Sequence, residues 1–234
     1  MMTILRRPEI GALAAFVLTY AFFAVFTAGA GFISINGTAG WLNLASELGI
    51  IAIPVGLLMI SGEFDLSIGS TVGAASMIVA LGTNHFGLPI WPVIFLALAA
   101  GMFIGLCNGL AVVKTNLPSF IVPLSTNFIV IGATMGFSRL LANVTSSSIV
   151  TTDSAKFVFA ARWGQANISI LWWAVAALIG YWVLSRTVFG NWIYATGGNL
   201  QAARGAGVPV ERVKISLFIG AGFAAAFVGI LQGV

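Results

Sequence analysis

Seven runs of this chain are long and apolar enough to cross a lipid bilayer, and little charge lies between them. They fall at residues 10–31, 44–60, 68–81, 90–113, 120–141, 168–184 and 213–234. Crossing hydrocarbon takes about 20 apolar residues as a helix, because the segment must satisfy its own backbone polar groups. Strands of a barrel would alternate apolar and polar over about ten residues, and these runs do not alternate. Only 7% of residues are charged and 59% are apolar, against roughly 45–50% apolar in soluble domains. The expectation is an all-α polytopic transmembrane helical bundle of about seven spans. It forms a single domain over 1–234, and its function is exercised across or within a membrane.

The first run follows Arg6 and Arg7 and precedes Ala28-Gly-Ala-Gly, an imitation of a secretory leader. Its apolar stretch exceeds the 7–15 residues of such a leader, and more spans follow, so an uncleaved first helix is expected. Lysine and arginine in short loops set orientation. With the N-terminus inside, the inner side holds Arg6, Arg7, Lys114, Arg186, Arg204, Arg212 and Lys214, and the outer side Arg139, Lys156 and Arg162. This seven-to-three bias predicts a cytoplasmic N-terminus, and it accounts for the net charge of +4 without a nucleic-acid partner. The single cysteine, Cys107, has no partner for a disulfide and reads as a small buried packing residue. With one cysteine and one histidine, His85, no metal site of protein ligands alone is expected. The last run reaches Val234 without a polar tail, which predicts a truncated C-terminus.

Three polar interruptions break the lipid-like background. Ser61-Gly-Glu-Phe-Asp-Leu-Ser-Ile-Gly-Ser70 sets two carboxylates between short apolar segments. Asp65 or Ser67 is placed to accept hydrogen bonds from the first turn of the next helix, and both Glu63 and Asp65 lie near that helix's positive end. The segment reads as a cap joining two helices, as a discontinuous helix lining a polar pathway, or as a proton-coupling carboxylate. An outer loop over about 142–165 carries Asp153, Lys156, Arg162 and Trp163. The inner loop, about 185–214, is the most polar and glycine-rich part of the chain. There Asn199 predicts a helix N-cap, 200–206 a two-turn helix, and Gly207 its stop. Pro209 and Glu211 suit the first turn of a following helix. So short a helix is marginal alone and should be held by a partner. Within the bundle, Gly101, Gly105 and Gly109 form a small-residue stripe that lets helix backbones approach closely; Ala221, Ala225 and Gly229 repeat the pattern.

With these motifs the chain resembles the permease subunit of bacterial ATP-binding-cassette (ABC) importers for ribose, xylose and related simple sugars. Residues 61–70 are similar to that family's Gly-Gly-Ile-Asp-Leu-Ser-Val-Gly-Ser signature. Ile193-Tyr-Ala-Thr-Gly-Gly-Asn-Leu-Gln-Ala-Ala-Arg204, followed by Gly207 and Val213-Lys-Ile, is similar to its Tyr-Ala-x-Gly-Gly-Asn-x-x-Ala-Ala-Arg segment. Phe32-Ile-Ser-Ile-Asn36 also resembles the stretch after the family's first helix.

The resemblance implies that Asn199, Leu200, Gln201, Ala202, Ala203, Arg204 and Gly207 form a coupling helix docking on a cytoplasmic ABC ATPase. It implies a gating or structural role for Gly62, Asp65, Ser67 and Gly69. Glu63 and Phe64 depart from the family's Gly-Ile pair. Further implied are a second permease copy, homologous or identical, a periplasmic sugar-binding protein, and a multi-pass place in the bacterial inner membrane. No cofactor is expected in this chain, since ATP would be used by the partner. The sequence agrees in lacking the Gly-Lys-Ser/Thr of a phosphate-binding loop. An ABC permease for nucleosides or branched-chain amino acids is the nearest alternative. An ion-coupled secondary transporter would rest on Glu47, Glu63 or Asp65. An intramembrane enzyme has no HExxH or GxSxG motif to stand on.

Overall fold

The computed structural model describes residues 8–115, 117–143, 149 and 151–234. Arg6 and Arg7, and part of the 142–165 loop, lie outside the described residues.

The chain is almost entirely helical: α1 (Pro8–Phe26), α2 (Ile35–Ile60), α3 (Ile68–Ala80), α4 (Ile90–Thr115), α5 (Ile121–Ala142), the single turn α6 (Asp153–Ala155), α7 (Ser169–Arg186), α8 (Val188–Gly198), α9 (Leu200–Gly205) and α10 (Val210–Gly233). Among the described residues, α2, α4, α5, α7 and α10 are long and apolar enough to cross a bilayer. All seven runs of the sequence fall on helices, and these five have the full length for a crossing. The apolar part of α1, Ile10–Phe26, is shorter, and α3 has 13 residues before it passes into a π-helical turn, Leu81–His85.

The second run is longer than the sequence predicts. Its helix begins at Ile35, where the Ser34 hydroxyl accepts from the Gly37 amide at 3.1 Å. Asn36, Gly37, Thr38 and Gly40 lie ahead of the predicted run, which starts at residue 44, but fall within this capped first turn and a half. Between α6 and α7 the chain forms a hairpin, β1 (Arg162–Trp163) paired antiparallel with β2 (Ala166–Asn167). Asn43 of α2 holds that hairpin, donating to the Gln165 carbonyl at 3.0 Å and accepting from the Asn167 amide at 2.9 Å.

Lipid gives helices no hydrophobic reason to associate, so close backbone approach must do the work. That approach is concentrated on α10, which packs along α4, α3 and α2. A Cβ on Gly101 would collide with the Gly222 carbonyl and Ala226, and one on Gly105 with the Phe218 carbonyl. At Gly109 it would press on Ile215 and Phe218, and at Gly229 on Val72 of α3. Phe218, Ile230, Val213 and Val228 of this central helix are wholly enclosed. Elsewhere large apolar side chains face outward, among them Phe128, Ile129 and Leu140 of α5 and Leu178 and Trp182 of α7. Exposed patches of that extent suit a membrane, since soluble monomers rarely carry them. Cys107 is also exposed, on the outside of α4, so its predicted burial is corrected: the inward face of α4 is taken by Gly101, Gly105, Asn108 and Gly109.

Gly105→Leu should force α4 from α10 and destabilise the detergent-solubilised chain by about 1–3 kcal/mol, the range for overpacking, read as a lower Tm. Gly132→Leu, whose Cβ meets nothing within 4 Å, should leave Tm unchanged.

Candidate functional site

Both sequence motifs meet at one end of the bundle. There α2 ends, and the chain turns back through residues 61–67 into α3. The turn is a Schellman closure: the Gly62 amide donates to the Met59 carbonyl at 3.0 Å and the Glu63 amide to the Leu58 carbonyl at 3.2 Å. Gly62 sits at φ 88°, left-handed backbone that glycine adopts without penalty.

Polar contacts then pin the switchback to its surroundings. Glu63 forms an ion pair with Lys214 of α10, with side-chain exposures of 9% and 15%. The Phe64 amide donates to Ser119 Oγ at 3.1 Å. Asp65, itself buried, accepts from the Ser67 amide at 2.8 Å and the Ser67 hydroxyl at 2.6 Å. Asn108 of α4 donates to Ser67 Oγ at 2.9 Å, and its Oδ1 accepts from Thr126 of α5 at 2.6 Å. An unbroken chain of hydrogen bonds thus runs from Asp65 across α4 to α5.

The predicted capping of α3 by Asp65 or Ser67 does not form. Asp65 closes a turn on the Ser67 amide, as aspartate does two residues ahead of itself, and Ser67 makes no side-chain cap. Its carbonyl instead accepts from Ser70 Oγ at 2.8 Å and Thr71 Oγ1 at 2.9 Å. Gly69 lies on the open face of α3, with nothing within 4 Å of the site of a Cβ.

The second motif builds a foot below α10. Thr187 serves two helices: its hydroxyl donates to the Val183 carbonyl at 2.6 Å, finishing α7, and accepts from the Gly190 amide at 3.1 Å, starting α8. The sequence does not reveal α8, because Gly197, Gly198 and a run of aromatic and β-branched residues argue against a helix. Asn199 Oδ1 accepts from the Ala202 amide at 3.0 Å and starts α9. Gly207, at φ 82°, ends it with a second Schellman closure, through Arg204 at 3.0 Å and Ala203 at 3.0 Å. Pro209 stands just before α10 as its N-cap residue, one position earlier than predicted. Ala203 is buried, while Gln201, Ala202 and Arg204 are exposed and Leu200 is partly covered. Arg204 pairs with Glu211 at 2.7 Å, both about half exposed.

A cleft of about 280 Å³ separates switchback and foot, walled by Glu63, Lys214, Ser119, Leu200, Arg204 and Glu211. The Gly101, Gly105 and Gly109 stripe takes no part in this cleft and belongs to the α4–α10 contact. Among the described residues no three His, Cys, Asp or Glu side chains gather where they could hold a metal. Glu47, at the opposite end of the bundle, accepts from Gln232 at 3.0 Å.

Residues 37–234 match the family described as "Branched-chain amino acid transport system / permease component". The chain is similar to the autoinducer 2 import system permease protein LsrC of Enterobacter sp. (strain 638), 33% identical over 236 residues, covering 99% of this chain and 65% of that protein. It is similar to the xylose transport system permease protein XylH of Escherichia coli (strain K12), 28% identical over 282 residues, with 94% and 70% covered. It is also similar to the galactose/methyl galactoside import permease protein MglC of Haemophilus influenzae (strain ATCC 51907 / DSM 11121 / KW20 / Rd), 32% identical over 219 residues, with 86% and 64% covered. The chain spans 65% and 55% of the length of two such LsrC relatives. No solved structure matches it.

Removing one member of a buried ion pair strands the other, at about 3–5 kcal/mol. Lys214→Met should therefore lower the unfolding free energy by roughly that amount. Glu63→Gln combined with Lys214→Met should recover most of it, a coupling that a double-mutant cycle on thermal unfolding would measure.

Proposed function

From its membership of the branched-chain amino acid transport system / permease component family, to which this chain belongs, we propose that it is the membrane-spanning permease of an ABC importer. Its cargo is a simple sugar of the ribose or xylose kind, carried across the bacterial inner membrane. Three relatives named as import or transport permeases for autoinducer 2, xylose and galactose support the sugar class over amino acids or nucleosides. Residues 1–234 act as one membrane unit, and the chain performs no catalysis and binds no cofactor. A separate cytoplasmic ATPase supplies the energy, a periplasmic binding protein delivers the sugar, and a second permease copy completes the pathway.

The observation that carries this reading is the physical union of the two motifs. An exposed helical foot, α9, stands on α10, and α10 grips the break between α2 and α3 through Lys214 and Glu63. Docking of an ATPase on Asn199, Leu200, Gln201, Ala202, Ala203 and Arg204 would displace α10 and, through that grip, the switchback at Gly62, Asp65, Ser67 and Gly69. The acidic residues are already engaged, Glu63 with Lys214, Asp65 with Ser67 and Glu47 with Gln232. Such engagement favours a structural role over ion coupling. The foot end carries Lys114, Arg186, Arg204, Arg212 and Lys214, and the opposite end Arg139, Lys156 and Arg162. By the positive-inside rule the foot and the N-terminus face the cytoplasm.

A cysteine replacing Gln201 should crosslink to a nucleotide-hydrolysing subunit in the intact importer. Ala202→Arg on the same exposed face should reduce ATP-driven uptake of D-xylose about tenfold or more, equivalent to ~1.4 kcal/mol of coupling. Uptake that persists at full rate after ATP depletion, with the proton gradient intact, would sink the proposal.

A further inference from the structure

A groove of about 430 Å³ runs between α3 and α5, lined by Gly69, Gly73, Ser70, Asn127, Thr134 and Ser138 among others. On α5, the positions 127, 134 and 138 are spaced by seven and four residues, which places them on one helical face. The adjacent Phe128 and Ile129 point elsewhere and are about two-thirds exposed, as lipid-facing side chains would be. Ser70 and Ser138 donate to backbone carbonyls, of Ser67 at 2.8 Å and Met135 at 3.1 Å. The side chains of Asn127 and Thr134 make no hydrogen bond with any described residue.

Depth makes those two side chains informative. At 1.5 Å per residue, Asn127 lies about 9 Å and Thr134 about 20 Å along α5 from Ile121, both within the ~30 Å of hydrocarbon. An amide and a hydroxyl left unpaired there face water, solute or protein rather than acyl chains. On the opposite wall a Cβ at Gly69 or Gly73 would meet nothing within 4 Å, so the glycines widen the groove. No titratable side chain lines it, and the rest of its wall is apolar, from Ala74, Met77, Ile131 and Met135.

We propose that this groove is one wall of the hydrated path and that it passes neutral, hydroxyl-rich solutes. Its amide and hydroxyls can exchange hydrogen bonds with sugar hydroxyls as water does. A zwitterionic amino acid would bring an ammonium and a carboxylate into a membrane-deep site that offers neither a counter-charge. The groove also adjoins the switchback at both walls. Ser70 bonds the carbonyl of Ser67, and Thr126, where the Asp65–Asn108 chain ends, directly precedes Asn127. A shift of the switchback would therefore move both sides of the path together.

This inference rests on the transport reading above and can be tested apart from it. In membranes holding the intact importer, with Cys107→Ser as background, single cysteines at Asn127, Thr134, Phe128 and Ile129 are exposed from each membrane face to a cationic, water-soluble methanethiosulfonate. Asn127→Cys and Thr134→Cys should react at least about tenfold faster than Phe128→Cys and Ile129→Cys, the contrast between a hydrated and a lipid-facing thiol. Equally slow reaction at all four positions would overturn the proposal, whether lipid or another helix fills the groove. In the same membranes, uptake of L-leucine in place of D-xylose, D-ribose and D-galactose would overturn the neutral-solute class even with the labelling contrast present. Sugar uptake that proves independent of ATP would defeat the ABC reading and leave the labelling result standing.

Discussion

The buried pairing of Glu63 with Lys214 ties together what would otherwise be separate parts of this molecule. Between Ile60 and Ile68 the chain leaves its helix at the membrane edge, where free backbone groups and two carboxylates would be costly without partners. Lys214 neutralises one carboxylate, and Ser67 with Asn108 engages the other. Because Lys214 sits one turn into α10, the helix that organises the bundle also holds the break in place. Satisfaction of the polar groups and connection between the helical foot and the interior are therefore the same set of contacts.

Much of the architecture was legible from hydropathy, because a membrane helix must be continuous and apolar to satisfy its backbone. What hydropathy misjudged were elements set by local hydrogen bonds. The start of α2 looked polar because Asn36, Gly37 and Thr38 are polar, yet Ser34 caps a helix that includes them. The helix α8 was hidden by its glycines, and Gly197 is there because the Ile60 carbonyl of α2 passes where a Cβ would be. Asn199 and Gly207, by contrast, bound α9 as their residue types suggest, since N-caps and left-handed stops act within a few residues. The partner of Glu63 lies 151 positions away, and no local rule could have supplied it.

The placement of small residues follows from the solvent. In water, α4 and α10 could be joined by interlocking large side chains; in lipid those gain little, and the two helices meet instead at Gly101, Gly105, Gly109 and Gly222. Large apolar groups are sent outward to the acyl chains. Asn108 enters the same α4 face and is wholly enclosed, so the route that joins Asp65 to Thr126 passes through the bundle rather than around it.

The contact of Gly197 with the Ile60 carbonyl has a mechanical meaning. Backbone rests on backbone there, with no compressible side chain in between, and interiors packed so closely transmit displacement instead of absorbing it. A joint built this way leaves no room for a side chain, and even one added methyl would act as a wedge between α8 and the end of α2.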